Sequence, residues 1–333
     1  RSLWKHKGKL DMDYMISPLF NCFSGDTEII TDRGVKTFRK LGENRIVNVL
    51  TKDGEFSPAI VKKYGKQKLN TVTMTSGRTT RKVRVTANHR WVLKDGSITT
   101  NLQVGDRLVT TKPIGKSEVD NFYKVLGFVL GDGNDIERDK DKGVKVRLCG
   151  DKIELLQLFL DEGFSISQYK FQNSKDVLLY NNDFPSKWTF IDNKVWKFLN
   201  KKQLQSLFEG YYLADGSKDR NQITTSNPNL AQMIREISAI SGYHITSENI
   251  IDKPTNFSSN RLLYVFNFMT SQPSNRNWVI KAIDTENLNL NDVWCVEEPK
   301  TNTFTLNGGI VTGNCCLINL EDMLYNGTVI NGK

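Results

Sequence analysis

From Cys22 to about Lys116 the apolar positions come in short β-branched and aromatic runs: Glu28-Ile29-Ile30, Ile46-Val47-Asn48-Val49-Leu50, Thr71-Val72-Thr73-Met74, Val83-Arg84-Val85-Thr86 and Trp91-Val92-Leu93. Turn-forming groups such as Asp32-Arg33-Gly34 and Asp53-Gly54 separate them. Runs of this length and spacing predict an all-β module. After Pro113-Ile114-Gly115 the period changes, and Phe122–Leu130 and Lys152–Leu160 carry apolar residues at three- and four-residue steps, which predicts helices. The β texture returns from Val293. One β domain, 22–118 plus 286–314, interrupted by an α/β insertion at 119–285, accounts for this better than two domains in tandem.

The insertion contains an internal repeat. Gly127-Phe128-Val129-Leu130-Gly131-Asp132-Gly133 matches Gly210-Tyr211-Tyr212-Leu213-Ala214-Asp215-Gly216 position by position. Small residues four apart share one helix face, so two such helices can pack backbone against backbone. Each Asp then falls at a helix carboxyl end, before a Gly suited to a left-handed cap. A carboxylate there opposes the helix dipole unless a cation compensates. Paired helices would bring Asp132 and Asp215 together, and a magnesium-type ion among carboxylates, water and phosphate oxygens would relieve the repulsion and activate an attack. The plain alternative is that Asp-Gly merely ends two helices. Val144–Leu148, whose alternation sends Lys145 and Arg147 to one face, and Leu262–Phe268 are candidate DNA-reading strands, with Lys187 and Lys281 as candidate basic partners of the acidic pair.

Composition narrows the class. With 333 residues, 38% hydrophobic and 25% charged, the chain is neither disordered nor collagen-like. No apolar run reaches the roughly 20 residues of a spanning helix, and the basic stretch Arg1–Lys9 has no apolar segment behind it to make a secretory signal. A soluble, cytoplasmic protein without membrane contact is the expectation. Five scattered cysteines are individual thiols rather than a disulfide framework. Of the +9 formal charge, residues 22–118 carry +10 and residues 119–285 only +1, so DNA binding by the insertion would need a positive surface sorted from a neutral total.

The ends of the β module carry the chemistry. At Asn314-Cys315 an asparagine amide can attack its own carbonyl and cut the chain, while the following thiol can hold an acyl group. An ordinary loop would have the same sequence. Cys22, after Asn21, could attack the carbonyl of residue 21 and convert an amide to a thioester, provided a proton donor stands near the leaving nitrogen. Thr86 and His89, in Thr86-Ala87-Asn88-His89 at a strand end, are the candidates; His6 and His244 are taken as structural.

Cys22–Asp26, Thr86–His89, Val293–Val296 with Phe304, and Asn307–Cys315 together resemble, in order, the four splicing blocks of an intein, and the repeated helices resemble the signature motifs of a LAGLIDADG homing endonuclease. The resemblance frames nearly all of 22–314. It implies a Hint-type, horseshoe-like splicing domain interrupted by an α/β two-repeat endonuclease. It also implies excision of 22–314 with ligation of Asn21 to Cys315, no cofactor for splicing, Mg2+ for the endonuclease, and a monomer acting on double-stranded DNA at the intein-less junction. Two departures stand out. Gly313 and Asn302-Thr303 replace the usual histidines that assist Asn cyclisation. Cys295 stands where Asp is common, and with Trp91 and Thr312 it resembles a triplet of inteins that use this internal Cys first, so Cys295 is either an activator or a relay nucleophile beside Cys22.

The flanks 1–21 and 315–333 join as Ser17–Asn21 followed by Cys315–Leu324, which resembles an anaerobic ribonucleoside-triphosphate reductase around a cysteine-bearing segment. Rival readings are a splicing-competent intein with a decayed nuclease, a cleavage-only autoprocessing domain, and an endonuclease whose β flanks are mere support.

Overall fold

The computed structural model describes residues 21–314 apart from 78, 139–140, 168–172, 218, 256–257, 271–276 and 286–288. Cys315 and the host-flank reading therefore lie outside the described residues. The chain forms two compact units, Arg1–Thr31 with Lys36–Lys112 and Pro273–Lys333, and Asp32–Val35 with Pro113–Gln272.

Among its described residues the first unit is a sheet with one helical turn, Phe38–Leu41. Strands neighbour one another in the order Arg107–Leu108, Trp278–Thr285, Asn70–Ser76, Thr79–Val85, Phe23–Ser24, Asn291–Glu297, Phe56–Gln67, Ile46–Leu50, Glu28–Thr31, Thr303–Leu306, Ile310–Gly313, Trp91–Val92, Ile98–Thr99. The strand pairings among the described residues are antiparallel, and period-two alternation sets what is buried: Ser57, Ala59 and Val61 point inward, whereas Pro58 and Ile60 face out. Phe23, Phe38, Trp91, Val293, Cys295 and Phe304 pack in one core. The hairpin Thr303–Leu306/Ile310–Gly313 turns through Gly308 and Gly309 at φ 95 and 76, values that favour glycine. Trp278–Thr285 departs from the expected boundary. It lay within the predicted insertion, yet pairs with Asn70–Ser76 in this sheet, so the β texture resumes well before Val293. Its Trp278 and Ile280 are buried, as a covered sheet position requires.

The second unit repeats one plan. Helix Asn121–Asp132 leads into strands Gly133–Arg138, Asp141–Cys149, Ser165–Ile166 and Ser174–Tyr180, and helix Lys201–Asp215 into Gly216–Ser217, Gln222–Thr225, Tyr243–Thr255 and Ser258–Thr270. Both four-stranded sheets have the spatial order first, second, fourth, third, and each inserts helical turns between its second and third strands. The seven-residue repeat thus marks the start of two copies of the same fold.

Asp120 caps the first repeat helix through Tyr123 N, and Asn200 with Gln203 makes a capping box on the second. The helices pack at their glycines: a Cβ on Gly127 would lie 2.0 Å from Leu207 O, and one on Gly210 would lie 1.8 Å from Lys124 O. The glycines after the aspartates do not form left-handed caps. Gly133 and Gly216 have φ −80 and −81, and glycine is needed there because a Cβ would meet Val129 O at 2.6 Å and Tyr212 O at 2.3 Å. Close approach decides these positions, rather than backbone handedness.

Candidate active sites

In the first unit, antiparallel pairing sets Phe23 opposite both Val85 and Trp294, so the chain enters the sheet beside the strand that ends at Thr86. Cys22 N donates to Thr86 Oγ1 at 3.0 Å, and Thr86 N donates back to Cys22 O at 2.9 Å. The nitrogen of the 21–22 peptide is therefore held by a hydroxyl. His89 follows in a tight turn, its N–H on Thr86 O at 3.1 Å. Its ring packs against Phe23 and Trp91 at centroid distances of 4.2 and 5.1 Å. Nε2 lies 2.5 Å from Thr312 Oγ1, whereas Nδ1 is buried with no hydrogen-bond partner among the described residues. Burial, foremost, and the Arg90 charge depress His89 to about 3, against the Asn21 carbonyl, which favours the protonated ring. His89 is thus neutral at neutral pH, and it faces the 21–22 peptide from within an apolar wall.

The same ring ties that peptide to the far end of the unit. Thr312 lies opposite Trp91, and Gly313 N donates to Arg90 O at 3.0 Å. Arg90 fills the space at Gly313: a Cβ there would come within 2.9 Å of Arg90 Cβ, which accounts for glycine where a histidine was expected. Asn314 is buried, its N–H on Asn302 O at 3.0 Å and its Nδ2 on Glu298 O at 2.6 Å, while Oδ1 has no partner among the described residues. Cys295 is buried in the core strand Asn291–Glu297, opposite Lys62. Glu298 and Arg90 carry no signal in the sequence that ties them to Gly313-Asn314, since both reach it only through the folded chain.

In the second unit the repeat helices end side by side. A Cβ on Gly131 would meet Asp215 Oδ2 at 3.2 Å, placing that carboxylate beside the residue before Asp132. Burial, foremost, and the Asp132 charge raise the Asp215 pKa, against Tyr211, Lys187 and Lys152. Two lysines occupy the junction. Lys187 Nζ donates to Gly131 O at 2.8 Å and Gly133 O at 3.2 Å, and Lys152 Nζ to Asp132 Oδ2 at 2.5 Å and Ala214 O at 2.7 Å. Each lysine thus meets a helix-terminal carbonyl and offsets the dipole that the aspartates aggravate. Burial pulls the Lys187 pKa down, against Asp215, Asp132 and Asp135. Lys187 had been named as a partner of the acidic pair and lies there; Lys281, also named, lies in the strand Trp278–Thr285 of the first unit. Lys152 was missed, since nothing in sequence links a residue in the helical turn Gly150–Leu155 to the repeat.

Lys145 and Arg147 share a sheet face, as alternation requires, and both bind the buried Asp176 carboxylate, at 2.7 Å in each case. Hydrogen bonds from Arg147, foremost, with Lys145, hold Asp176 at about 2 against burial. No helix among the described residues is long and apolar enough to cross a membrane.

No family model and no curated protein matches the chain. Among solved structures, a variant of the Ssp DnaB mini-intein is similar at 10% identity and TM-score 0.33, covering 89% of this chain and 95% of its own. Mesophilic variants of the homing endonuclease I-DmoI are similar at 16% identity and TM-score 0.32, over 45% of this chain and 88% of theirs. I-DmoI in complex with DNA and Mn gives 16% identity, TM-score 0.33, and coverage of 45% and 89%. Likeness this distant carries no functional weight of its own.

Proposed function

We propose that the chain is a self-splicing intein, residues 22–314, carrying a two-repeat LAGLIDADG homing endonuclease between its all-β, Hint-type, horseshoe-like halves. One observation carries the splicing reading: Thr86 holds the nitrogen of the 21–22 peptide, and His89, beside the Asn21 carbonyl, reaches Thr312, two residues before Asn314. Both junctions are thereby joined through the segment 86–91.

The steps follow from these groups. The Cys22 thiol attacks the Asn21 carbonyl carbon; the C–S bond forms, the C–N bond breaks, and the thiol proton ends on the Cys22 nitrogen. Thr86 holds that leaving nitrogen, and His89, neutral and beside the carbonyl, relays the proton rather than acting as a standing imidazolium. Cys315 then takes the acyl group by thioester exchange. Asn314 Nδ2 attacks its own carbonyl carbon, the 314–315 bond breaks, and an Nδ2 proton passes to the departing Cys315 nitrogen. A sulfur-to-nitrogen shift joins Asn21 to Cys315. The Cys22 route is favoured over a Cys295-first route because Thr86 and His89 gather at the 21–22 peptide, leaving Cys295 as an activator or relay in the core.

For the insertion, the Asp132 and Asp215 carboxylates are hard oxygen donors that would suit Mg2+ completed by water and phosphate oxygens. The metal would neutralise phosphate charge and lower the pKa of an attacking water. Lys152 and Lys187 steady the carboxylates and helix ends, and the face bearing Lys145 and Arg147 would meet double-stranded DNA at the uninterrupted junction. The flanks are read as an anaerobic ribonucleotide reductase host, and the protein as a monomer.

The test is mass spectrometry of the incubated full chain. Splicing yields a 40-residue peptide, residues 1–21 joined to 315–333, and the excised 22–314. Separate flanks would establish cleavage-only processing, and an unchanged chain would refute both readings.

A further inference from the structure

Glu298 lies outside the groups assigned above, yet it is fully buried and its carboxylate is saturated with donors. Oε1 accepts from Ser57 Oγ at 2.6 Å and Lys300 N at 2.8 Å, and Oε2 accepts from Thr301 N and Thr301 Oγ1, both at 2.8 Å. These bonds fold Glu298–Thr301 into a closed turn and pin it to the strand that carries Ser57. Thr301 Oγ1 continues to Thr303 Oγ1 at 2.7 Å, and Asn302 adopts φ 53, the left-handed conformation that asparagine, alone with glycine and aspartate, takes readily.

Two carbonyls of this turn hold Asn314. Glu298 O takes Nδ2, and Asn302 O takes the main-chain N–H. Because Glu298 precedes Pro299, its carbonyl belongs to a tertiary amide. Gly313 and Asn302-Thr303 supply no imidazole to assist the asparagine, so orientation of its amide is the assistance this turn can give.

We infer that Glu298 is a positioning residue for the cleavage after Asn314: its carboxylate shapes the turn whose carbonyls fix the asparagine side chain for attack on its own carbonyl. Fixing a nucleophile near attack geometry accelerates an intramolecular step, and small misplacements forfeit large factors. This inference rests on the splicing reading. Gln is nearly isosteric with Glu, but its amide nitrogen would face N–H donors and leave one acceptor where there were two, so Glu298→Gln should open the turn.

The experiment uses the full chain and reads the junctions separately. Thiol-induced cleavage after Asn21 is followed with dithiothreitol in an Asn314→Ala background, and cleavage after Asn314 in a Cys22→Ala background. Glu298→Gln should slow the second by about tenfold or more while leaving the first within about twofold. Ser57→Ala, which removes one of four donors, should slow it by a smaller factor in the same direction. Equal losses at both junctions would make Glu298 merely structural and overturn the assignment. Unchanged or faster cleavage after Asn314 would overturn it as well. If the two parent backgrounds cleave at neither junction, the splicing reading itself fails, which separates the two outcomes.

Discussion

Cys22, His89 and Asn314 are at most 2% exposed, and the contacts that hold them are with hydroxyls and main-chain carbonyls. Asp132 and Asp215 are half-buried, and their neighbours are the lysines at positions 152 and 187. The first arrangement sets uncharged reacting groups among fixed dipoles in an apolar wall, a setting that stabilises charge as it develops. The second concentrates like charges at helix ends and holds only while cations stand among them. On the proposed function the difference is intelligible: chemistry on a peptide of the chain itself would be pre-built inside a sheet, whereas chemistry on an incoming polyanion would have to stay open and electrically adjustable.

The largest effects should come from removing the reacting groups. Cys22→Ala should abolish thiol-induced cleavage after Asn21, and Asn314→Ala should abolish cleavage after residue 314, each leaving the other junction competent on denaturing gels. Ligation by the Cys22→Ala chain would move the first nucleophile to Cys295. Asp132→Asn or Asp215→Asn should abolish magnesium-dependent cutting of duplex DNA spanning the uninterrupted junction, with splicing intact, since the two sets of residues lie in different units. Undiminished cutting by both variants would take these carboxylates out of the metal site. A wild-type chain inert on that duplex would mark a decayed nuclease.

Next in size is His89→Ala, expected to slow the first acyl shift by about 10²–10⁴-fold, the usual span for a positioned proton donor or acceptor. Time courses of dithiothreitol cleavage measure it, with His244→Ala as the comparison. A silent His89→Ala would remove the link between the junctions. Smaller again is Gly210→Ala, whose Cβ would collide with Lys124 O. Overpacking of this kind costs about 1–3 kcal/mol. It should lower the melting transition of the second unit and spare splicing; an unshifted transition would refute the backbone-to-backbone packing.

How much of this was legible in sequence depends on the range of the interaction. The repeat, its glycine faces and the β texture of 22–118 are local or periodic, so they could be found by comparing one stretch with another. The pairing of Trp278–Thr285 with Asn70–Ser76 joins distant segments, and nothing at either end announces it. Lys152 reaches Asp132 from a separate helical turn, and Glu298 reaches Ser57 across 241 positions. The glycines after the aspartates show the converse failure. A local rule assigned them left-handed caps, but crowding by Val129 and Tyr212 is what requires glycine.

The smallest effect, and the one that most sharpens the contrast, is the sign of the pH response. Burial holds His89 neutral in the folded chain, with its pKa near 3, while an unfolded histidine titrates at its ordinary 6.5. Between those values the unfolded chain binds the extra proton, so the first unit loses stability as pH falls from 6.5 toward 3. In Glu298, burial pushes the carboxyl up, but bonds from Ser57, Thr301 and Lys300 outweigh it and hold the pKa below 4.5, so its contribution vanishes only at lower pH. Asp215 has the opposite sign. Burial and Asp132 raise its pKa above 3.8, so the folded second unit binds the extra proton and that carboxylate's penalty grows as pH rises through the window. Urea midpoints at about pH 7 and about pH 5 should therefore shift downward on acidification for the first unit, and His89→Gln should flatten that shift. Asp215→Asn should raise the second unit's midpoint more at about pH 7 than at about pH 3, below the ordinary carboxylate value of 3.8. A His89→Gln chain that keeps the full acid loss, or an Asp215→Asn gain that grows as pH falls, would contradict the contrast between the two sites.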